Sequence, residues 1–297
     1  MTGWLVVNEF VNSAKFDELF KMLEAAAAKQ NINLIRKKGA EVWSELASAS
    51  YEKENLGEPE NPVEFILFWD KDIKLAKALE GAGLPVFNSS DAIAKCDDKA
   101  LTFLELVHHR DIQMPKTIIS PKKFHSDGLV SKNLVSKVGE ELGYPCVVKE
   151  CLGSFGQQVY LASDESELIG LMKDIGDRGY MIQEYISSSK GRDIRIQVVG
   201  GKVVAAMYRY NDDDFRANVT NGGLMKPYEP NQAQTEMAIK VCEYLGLDFG
   251  GIDIMFGEND EPIFCEANSN AHFKNLYDCT GINTADEIAK YIREKVM

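Results

Sequence analysis

Residues 251–268 read GIDIMFGENDEPIFCEAN. The two apolar runs in this segment, 251–256 and 263–268, are typical of β-strands, and a polar loop of six residues joins them. Each run contains an acidic residue, Asp253 in the first and Glu266 in the second. A carboxylate inside an apolar strand requires a partner, because burying an unpaired charge is costly. The segment therefore predicts a functional site as well as a hairpin.

One hairpin register brings these acidic residues together. We pair Phe256 with Ile263 in an antiparallel ladder. Asp253 then lies directly opposite Glu266, and Asn268 shares their face of the sheet. Opposed carboxylates repel each other, and a divalent cation removes that repulsion. Two carboxylates and an amide oxygen form an all-oxygen set, which predicts Mg²⁺ or Mn²⁺ beside phosphates. Bonds from Asp253 and Glu266 to a neighbouring Lys or Arg, or to backbone amides, are the alternative.

Composition and charge narrow the class of protein. The chain has 297 residues, enough for two or three packed lobes, and 45% apolar residues, as in soluble globular proteins. A net charge of −13 disfavours nucleic acid and anionic membranes as partners. The six cysteines form no CxxC motif, which predicts buried thiols in a reducing cytoplasm and no zinc site. No signal sequence or membrane span is predicted.

The order of apolar runs predicts an α/β (α+β) fold with three lobes. Strands alternate with helices in the first lobe, which predicts a small sheet with parallel strands. A single long helix is predicted over residues 91–110. The last third is richer in strands and contains a hairpin that turns at Gly200-Gly201. The predicted domains are 1–97, 98–185 and 186–297.

A second group of motifs suits a nucleotide. Lys149 ends a predicted strand, and the turn after it has glycines at 153 and 156, whose backbone N–H groups can face an anion. Residues 183–186 end another strand and could line an adenine, and Asp193 could bind a ribose hydroxyl. An ordinary hairpin turn and a plain sheet strand are the alternatives for these segments.

Three arginines, Arg195, Arg209 and Arg216, fall within 22 residues of an acidic chain. Their planar guanidinium groups suit phosphate and carboxylate oxygens. Together they predict a shared anionic ligand, although each arginine alone is compatible with a solvated surface position.

The order of these motifs resembles the ATP-grasp superfamily, and within it the RimK-type α-L-glutamate ligases. The resemblance extends from about Asp98 to the C-terminus and is carried by VVK, QEYI, GRDIR, DFRAN, GIDI and CEAN, in that order. It implies an ATP-grasp fold of three lobes, with ATP between the central and C-terminal lobes. It also implies an ADP-forming ligase that joins a carboxylate to an amine through an acyl phosphate.

The resemblance also implies a role for each matching residue. Residues 154–157 would close over the ATP phosphates, which Lys149 would contact, and Arg216 and Asn218 would flank the transferred phosphoryl group. The implied ATP-binding residues are Lys99, Lys149, Ser154, Phe155, Gly156, Gln157, Gln183, Glu184, Tyr185, Ile186, Asp193, Arg216 and Asn218. The implied metal ligands are Asp253, Glu266 and Asn268, and the implied catalytic residues are Arg195, Arg209 and Arg216.

The segment after Asn268 departs from the family pattern. RimK-type ligases have Ser-Pro-Gly or a similar sequence there, whereas residues 269–272 read SNAH. This stretch faces the substrate in the family, so the added amino acid can be glutamate or another one. An amino-carrier-protein ligase, a small-peptide ligase, a nucleotide-binding regulatory protein and a phosphotransferase are the alternatives. The expected partners are ATP, an amino acid and a carboxylate acceptor (a small molecule, peptide or protein tail), and a homo-oligomer is expected.

Overall fold

A computed structural model describes residues 1–125, 128–153, 156–219 and 222–297. In these ranges the strands form a parallel sheet, two antiparallel sheets and a short two-stranded ribbon. Helices pack on each of the larger sheets, so the predicted mixed α/β class is confirmed. No helix in the described ranges is long and apolar enough to cross a membrane.

The first lobe contains a sheet of parallel strands, as predicted, and its strand order is β2-β1-β5-β6. Its central strand β5, with sequence FILFW, is buried along its whole length, which explains the unbroken apolar run. Asn8 follows β1 and Asp70 follows β5, at the carboxyl edge where parallel sheets bind ligands. The elements are β1 Thr2–Val7, α1 Ala14–Lys29, β2 Asn33–Lys38, α2 Gly39–Ser48, β3 Gly57–Glu58, β4 Asn61–Pro62, β5 Phe65–Trp69, α3 Ile73–Gly81 and β6 Val86–Phe87.

The single helix predicted over residues 91–110 is wrong. Two helices occupy the region, α4 Ser90–Asp97 and α5 Lys99–Leu106. Asp98 separates them with an extended backbone, and its side chain accepts hydrogen bonds from the N–H groups that begin α5. Aspartate favours this N-cap position because its carboxylate satisfies otherwise unpaired amides. The break makes Lys99 the first residue of α5.

The central lobe is an antiparallel sheet of order β7-β10-β8-β9 with two helices packed on it. The helices pack their apolar residues against β8 and β10 and form a separate core. The elements are β7 Thr117–Ile119, α6 Lys132–Glu141, β8 Cys146–Glu150, β9 Val159–Ala162, α7 Glu165–Ile175 and β10 Tyr180–Glu184.

The C-terminal lobe is an antiparallel sheet of order β13-β12-β11-β14-β15. Strands β11 and β12 form the predicted hairpin at Gly200-Gly201, and β13 pairs with β12 at the edge of the sheet. The elements are β11 Arg192–Val199, β12 Lys202–Tyr210, β13 Leu224–Pro227, α8 Gln232–Leu245, β14 Phe249–Phe256, β15 Pro262–Asn268, α9 Lys274–Thr280 and α10 Thr284–Val296.

The first and C-terminal lobes share one hydrophobic core. Trp69 at the end of β5 stacks on Phe249 of β14, with ring centroids 5.7 Å apart, and Phe273 meets the same indole edge-on. Helix α10 packs against α1 in the same cluster. These contacts fix the carboxyl edge of the parallel sheet against the end of the hairpin β14–β15. The domain divisions after residues 97 and 185 stay predictions.

Candidate active site

The hairpin β14–β15 brings the two acidic residues opposite each other. Asp253 pairs with Glu266 across the ladder, as the sequence predicts. The register at the turn is different, because Phe256 pairs with Pro262 and not with Ile263. A β-bulge between the two parts of the ladder makes up the difference of one residue. The prediction for the acidic pair is therefore confirmed, whereas the pairing used to derive it is wrong.

The bulge falls at Cys265 and changes what faces the cleft. Cys265 lines the same cavity as Asp253 and Glu266, although a regular strand would turn it to the opposite face. Its Sγ lies 3.9 Å from Nζ of Lys149, across the gap between the C-terminal and central sheets. Burial raises the pKa of the Cys265 thiol to about 11, so the group is neutral at physiological pH.

Asp253 is held by two arginines. Arg195 donates from Nε and Nη2 to its two oxygens at 2.7 and 2.6 Å, and Arg209 Nη2 lies 3.0 Å from Oδ2. Burial opposes ionisation of Asp253, yet the charges of Arg195 and Arg209 lower its pKa. For this residue the structure shows the ion pair that the sequence left open as an alternative to a metal.

Asp193 completes a network of two acids and two arginines. Arg209 makes a bidentate pair with Asp193, with both N–O distances 2.7 Å. Burial raises the pKa of Asp193. Burial alone would lower the pKa of Arg209, but the negative charges of Asp193 and Asp253 raise it. Both oxygens of Asp193 thus accept from Arg209, and the expected hydrogen bond from a ribose hydroxyl to Asp193 stays a prediction.

The three predicted metal ligands differ in their fit to a divalent cation. Glu266 is partly exposed to the cleft, and its Oε1 lies 3.6 Å from Lys99 Nζ. The Nδ2 atom of Asn268 is buried with no hydrogen-bond partner, so its amide group is not committed to a described residue. Oxygen ligands of these two kinds suit Mg²⁺ or Mn²⁺. Asp253 can join them only by sharing its oxygens with the two arginines. The described residues contain no group of three or more His, Cys, Asp or Glu side chains that could hold a metal ion.

A cavity of about 100 Å³ lies between the central sheet and the C-terminal sheet. Most of the residues predicted to bind ATP line it: Lys99, Lys149, Gly156, Gln183, Glu184, Tyr185, Ile186, Asp193, Arg216 and Asn218. Arg209, Asp253 and Glu266 line the same cavity. Gln157 is exposed and is not among the lining residues. The predictions for Ser154 and Phe155 lie outside the described residues.

Arg216 connects the two sides of this cavity. Its Nη2 pairs with Asp214 at 2.7 Å, and its Nη1 donates to the carbonyl oxygen of Gly156 at 2.8 Å. The side-chain hydrogen bonds that Arg216 donates to Asp214 raise the pKa of Arg216. The contact to Gly156 joins the C-terminal lobe to the glycine-rich turn of the central lobe. Arg195, by contrast, lines the neighbouring cavity only.

That second cavity, of about 240 Å³, lies between the carboxyl edge of the first sheet and the end of β15. We call it the substrate cavity. Its lining residues include Asn8, Lys15, Phe16, Trp69, Asp70, Arg195, Asn268 and His272. Gly156, Arg209, Asn218 and Glu266 line both cavities. A molecule in one cavity therefore meets a molecule in the other beside these four residues.

Sequence reasoning missed Asp70 and Asn88. The side chain of Asn88 is buried and donates to the carbonyls of Phe249 and Ser269, and its oxygen accepts from the N–H groups of Asp248 and Phe249. It therefore fixes the segment after β15 against β14. Asp70 had a usable signal, because it is the polar residue directly after the apolar run of β5. Asn88 had none, because its partners are about 160 and 180 residues away.

The ordered motifs and the adjoining cavities match a known family. A profile of the RimK-like ATP-grasp domain matches residues 96–292. The chain belongs to the RimK-like ATP-grasp family. The "uncharacterized protein MG012 homolog" of Mycoplasma pneumoniae is 37% identical over 207 residues, which cover 69% of this chain and 72% of that protein. The glutamate–LysW ligase ArgX of Sulfolobus acidocaldarius is 30% identical over 226 residues, covering 74% of this chain and 76% of the ligase.

Human N-acetylaspartylglutamate synthase A, another similar protein, is 34% identical over 224 residues, 75% of this chain but only 56% of the synthase. Among solved structures, a RimK-domain ATP-grasp protein of Sphaerobacter thermophilus superposes with a TM-score of 0.69 at 18% identity, covering 98% of each chain. D-alanine–D-alanine ligase of Bacillus anthracis, complexed with ATP, superposes with a TM-score of 0.73 at 19% identity, covering 100% of this chain and 97% of the ligase.

These comparisons confirm the predicted RimK-like family, the ATP-grasp fold and the enzyme class of an ADP-forming ATP-grasp ligase. ATP-grasp ligases use ATP and a divalent metal ion.

Proposed function

We propose that this RimK-like ligase joins an amino acid to a carboxylate acceptor through an acyl phosphate. The observation that carries the proposal is the meeting of the two cavities at Gly156, Arg209, Asn218 and Glu266. ATP in the smaller cavity would direct its γ-phosphate to this junction. The acceptor and the amine would reach the same point from the substrate cavity. The names of the similar glutamate ligase and synthase support a reaction of this class.

Two steps account for an ADP-forming amide synthesis. An oxygen of the acceptor carboxylate forms a bond to the γ-phosphorus, and the bond from that phosphorus to the bridging oxygen of ADP breaks. The amine nitrogen then bonds to the acyl carbon, phosphate leaves with the C–O electron pair, and the nitrogen loses a proton. Phosphoryl transfer depends mainly on positioning and on neutralising charge. Lys99 and Lys149 line the smaller cavity together with Glu266, and Arg192, Arg209 and Arg216 add further positive charge to its lining.

Arg195, Arg209 and Arg216 would stabilise the negative charge of the acyl phosphate. Arg209 lines both cavities, and Arg195 lines the substrate side of the junction. Glu266 and Asn268, with Asp253, would hold Mg²⁺ or Mn²⁺, which would neutralise phosphate charge when bound. The cytoplasmic location and the homo-oligomer stay predictions.

ADP release, measured with a panel of amino acids against a panel of carboxylic acids, tests the reaction. We expect ADP formation to require both substrates, with an amide identified by mass spectrometry. A stable phosphorylated acid formed without any amine would identify a phosphotransferase instead. Turnover that no acid or amine raises above the bare protein would reject the ligase and favour a nucleotide-binding regulatory role.

A conservative variant tests the metal site. Glu266→Gln removes a charged oxygen that faces the cleft but keeps the side-chain volume. We expect Mg²⁺-dependent turnover to fall by about 100-fold or more, the scale of losing one electrostatic group in a site of this kind, with an unchanged unfolding midpoint. Glu258→Gln is the matched control, since Glu258 is exposed in the loop between β14 and β15. Equal turnover in the two variants would refute the assignment of Glu266.

A further inference from the structure

One wall of the substrate cavity contains polar atoms that no described residue satisfies. Only 2% of the surface of Trp69 is exposed, and its Nε1 has no hydrogen-bond partner among the described residues. Nδ1 of His272 and Nδ2 of Asn268 are also buried and unpaired, and all three residues line this cavity. Buried polar groups in native proteins are nearly always paired, so a group without a partner beside a cavity indicates a ligand.

His272 offers a hydrogen-bond acceptor to that ligand. Its Nε2 lies 3.3 Å from the carbonyl oxygen of Lys15, which can only accept, so Nε2 carries the proton. Burial lowers the pKa of His272 to about 4, which keeps the ring neutral at physiological pH. In this tautomer Nδ1 has a lone pair and no proton. Phe16 holds the ring edge-on, with centroids 5.0 Å apart.

Asp70 offers a second acceptor. It is 5% exposed, and both of its hydrogen bonds, from Asn8 Nδ2 at 2.8 Å and from the Lys71 N–H at 2.6 Å, go to Oδ1. No described residue donates to Oδ2, and Asp70 forms no ion pair in the described part of the chain. A buried carboxylate without a cation suits the amino group of a ligand. Asp70 and His272 together supply two acceptors for it.

The cations of the wall limit how many carboxylates the ligand can carry. Lys71 pairs with Asp97, Arg195 with Asp253, and Arg209 with Asp193 and Asp253. Among the lysines and arginines that line the cavity, Lys15 is the one for which the described residues supply no acidic partner. Lys15 and the N–H of Trp69 together can bind one carboxylate of the ligand.

Apart from Glu266 at the junction of the cavities, the other lining residues are uncharged. Val11, Phe16, Phe20, Met207 and Ala271 are apolar, and Asn8, Asn218, Asn270 and Asn275 are neutral amides. An uncharged side chain is satisfied by these residues, whereas a second carboxylate would be buried there without a cation. The volume of about 240 Å³ is that of a small-molecule site and not of a folded partner.

We propose that the amine substrate is an α-amino acid with one carboxylate and an uncharged side chain, and not glutamate. Asp70 and His272 bind its amino group, and Trp69 and Lys15 bind its carboxylate. These side chains are specificity-determining residues for the amine. The inference rests on the proposed ligase function and extends it to the class of substrate.

The test compares glycine, L-alanine, L-leucine, L-aspartate and L-glutamate as the amine in the ADP-release assay. We expect kcat/KM for one of the three neutral amino acids to exceed that for L-glutamate by about 10-fold or more, equivalent to one hydrogen-bonded or charged contact. Asp70→Asn and His272→Phe should raise the KM of that amine by about 10-fold, with the KM for ATP within about twofold of wild type.

Trp69→Phe keeps an aromatic ring but removes the N–H together with the five-membered part of the indole, so it should raise the same KM. Trp43→Phe, in α2 and outside the cavity lining, is the matched control and should leave it unchanged. A preference for L-glutamate would overturn the inference and leave the ligase function intact. So would an unchanged amine KM in both the Asp70 and His272 variants.

Calorimetric titration of L-alanine, L-leucine and L-glutamate into the full chain separates the two proposals further. Binding of a neutral amino acid in wild type, weakened in Asp70→Asn, would support the amino-acid site even if no amine raised ADP release. That combination would reject the ligase function but not the site. Binding of L-glutamate alone would reject the substrate class assigned here.

Discussion

At the scale of single residues, the role that a side chain can take in the site depends on its bonding partners as well as on its residue type. Asp253 and Glu266 are opposite each other on one face, yet Asp253 bonds two arginines and Glu266 faces the cleft near Lys99. The sequence shows the shared face, because strand alternation fixes it. It does not show the partners, because Arg195 is 58 residues from Asp253 and only the folded sheet brings them together.

His272 makes stability depend on pH. Its pKa is about 4 in the folded protein, below the ordinary value of 6.5 that applies to the unfolded chain. Between these values the unfolded chain binds a proton that the folded chain does not, so stability falls as pH decreases from 6.5 to 4. The full loss is about 3 kcal/mol, at 1.36 kcal/mol per pKa unit.

The variant His272→Phe removes this titration and keeps a ring against Phe16. We expect the stability of wild type to fall by about 2–3 kcal/mol more than that of His272→Phe between pH 7 and pH 4.5, measured by urea unfolding. His108→Gln is the control, because His108 is exposed beyond α5. A wild-type pH dependence that both variants share would show that His272 is not the group responsible.

At the scale of secondary structure, sequence patterns located the strands but not their irregularities. The hairpin at Gly200-Gly201 and the parallel strands of the first lobe follow from apolar runs and turn residues. The break at Asp98 and the bulge at Cys265 do not follow from these patterns. At Asp98 the side chain bonds the N–H groups that begin α5, and at Cys265 one extra residue interrupts the regular strand pairing. Both irregularities lie in the site, where they direct Lys99 and Cys265 to the cleft.

The segment after β15 depends on a glycine in the neighbouring strand. A Cβ on Gly251 would lie 2.5 Å from Cβ of Ala271, so the substitution Gly251→Ala must displace the segment that holds His272. We expect a loss of about 1–3 kcal/mol, as for other overpacked cores, and a raised amine KM with little change in the KM for ATP. Urea unfolding and steady-state kinetics measure the two effects.

The matched control for that change is Gly170→Ala in α7. No atom lies within 4 Å of a Cβ built there, and the residue is inside a helix. This variant should be unchanged or more stable by up to about 1 kcal/mol, because alanine favours helix. Similar losses in the two variants would mean that contact with Ala271 is not the cause.

At the scale of the whole molecule, the hydrophobic core of the central lobe is separate from the core that the other two lobes share. The first and C-terminal lobes share the core around Trp69, Phe249 and Phe273. Among the described residues, those in the core of the central lobe all lie between Ile118 and Ile182. The smaller cavity, which we propose binds ATP, lies where the central and C-terminal lobes meet. Since the central lobe has a core of its own, it can open or move without disrupting the lobes that position the substrate cavity.

Hydrogen exchange of the native protein can test this division. Leu168→Ala in the central core leaves a cavity and should destabilise by about 2–5 kcal/mol. We expect protection to fall in β8 and β10 while β1, β5 and β14 keep theirs. Leu19→Ala is the matched variant, because both leucines are completely buried and Leu19 belongs to the shared core. It should lower protection in β1, β5 and β14 together, since those strands contribute to one core. Equal losses in all strands for either variant would show a single cooperative unit and remove the structural basis for independent movement of the central lobe over ATP.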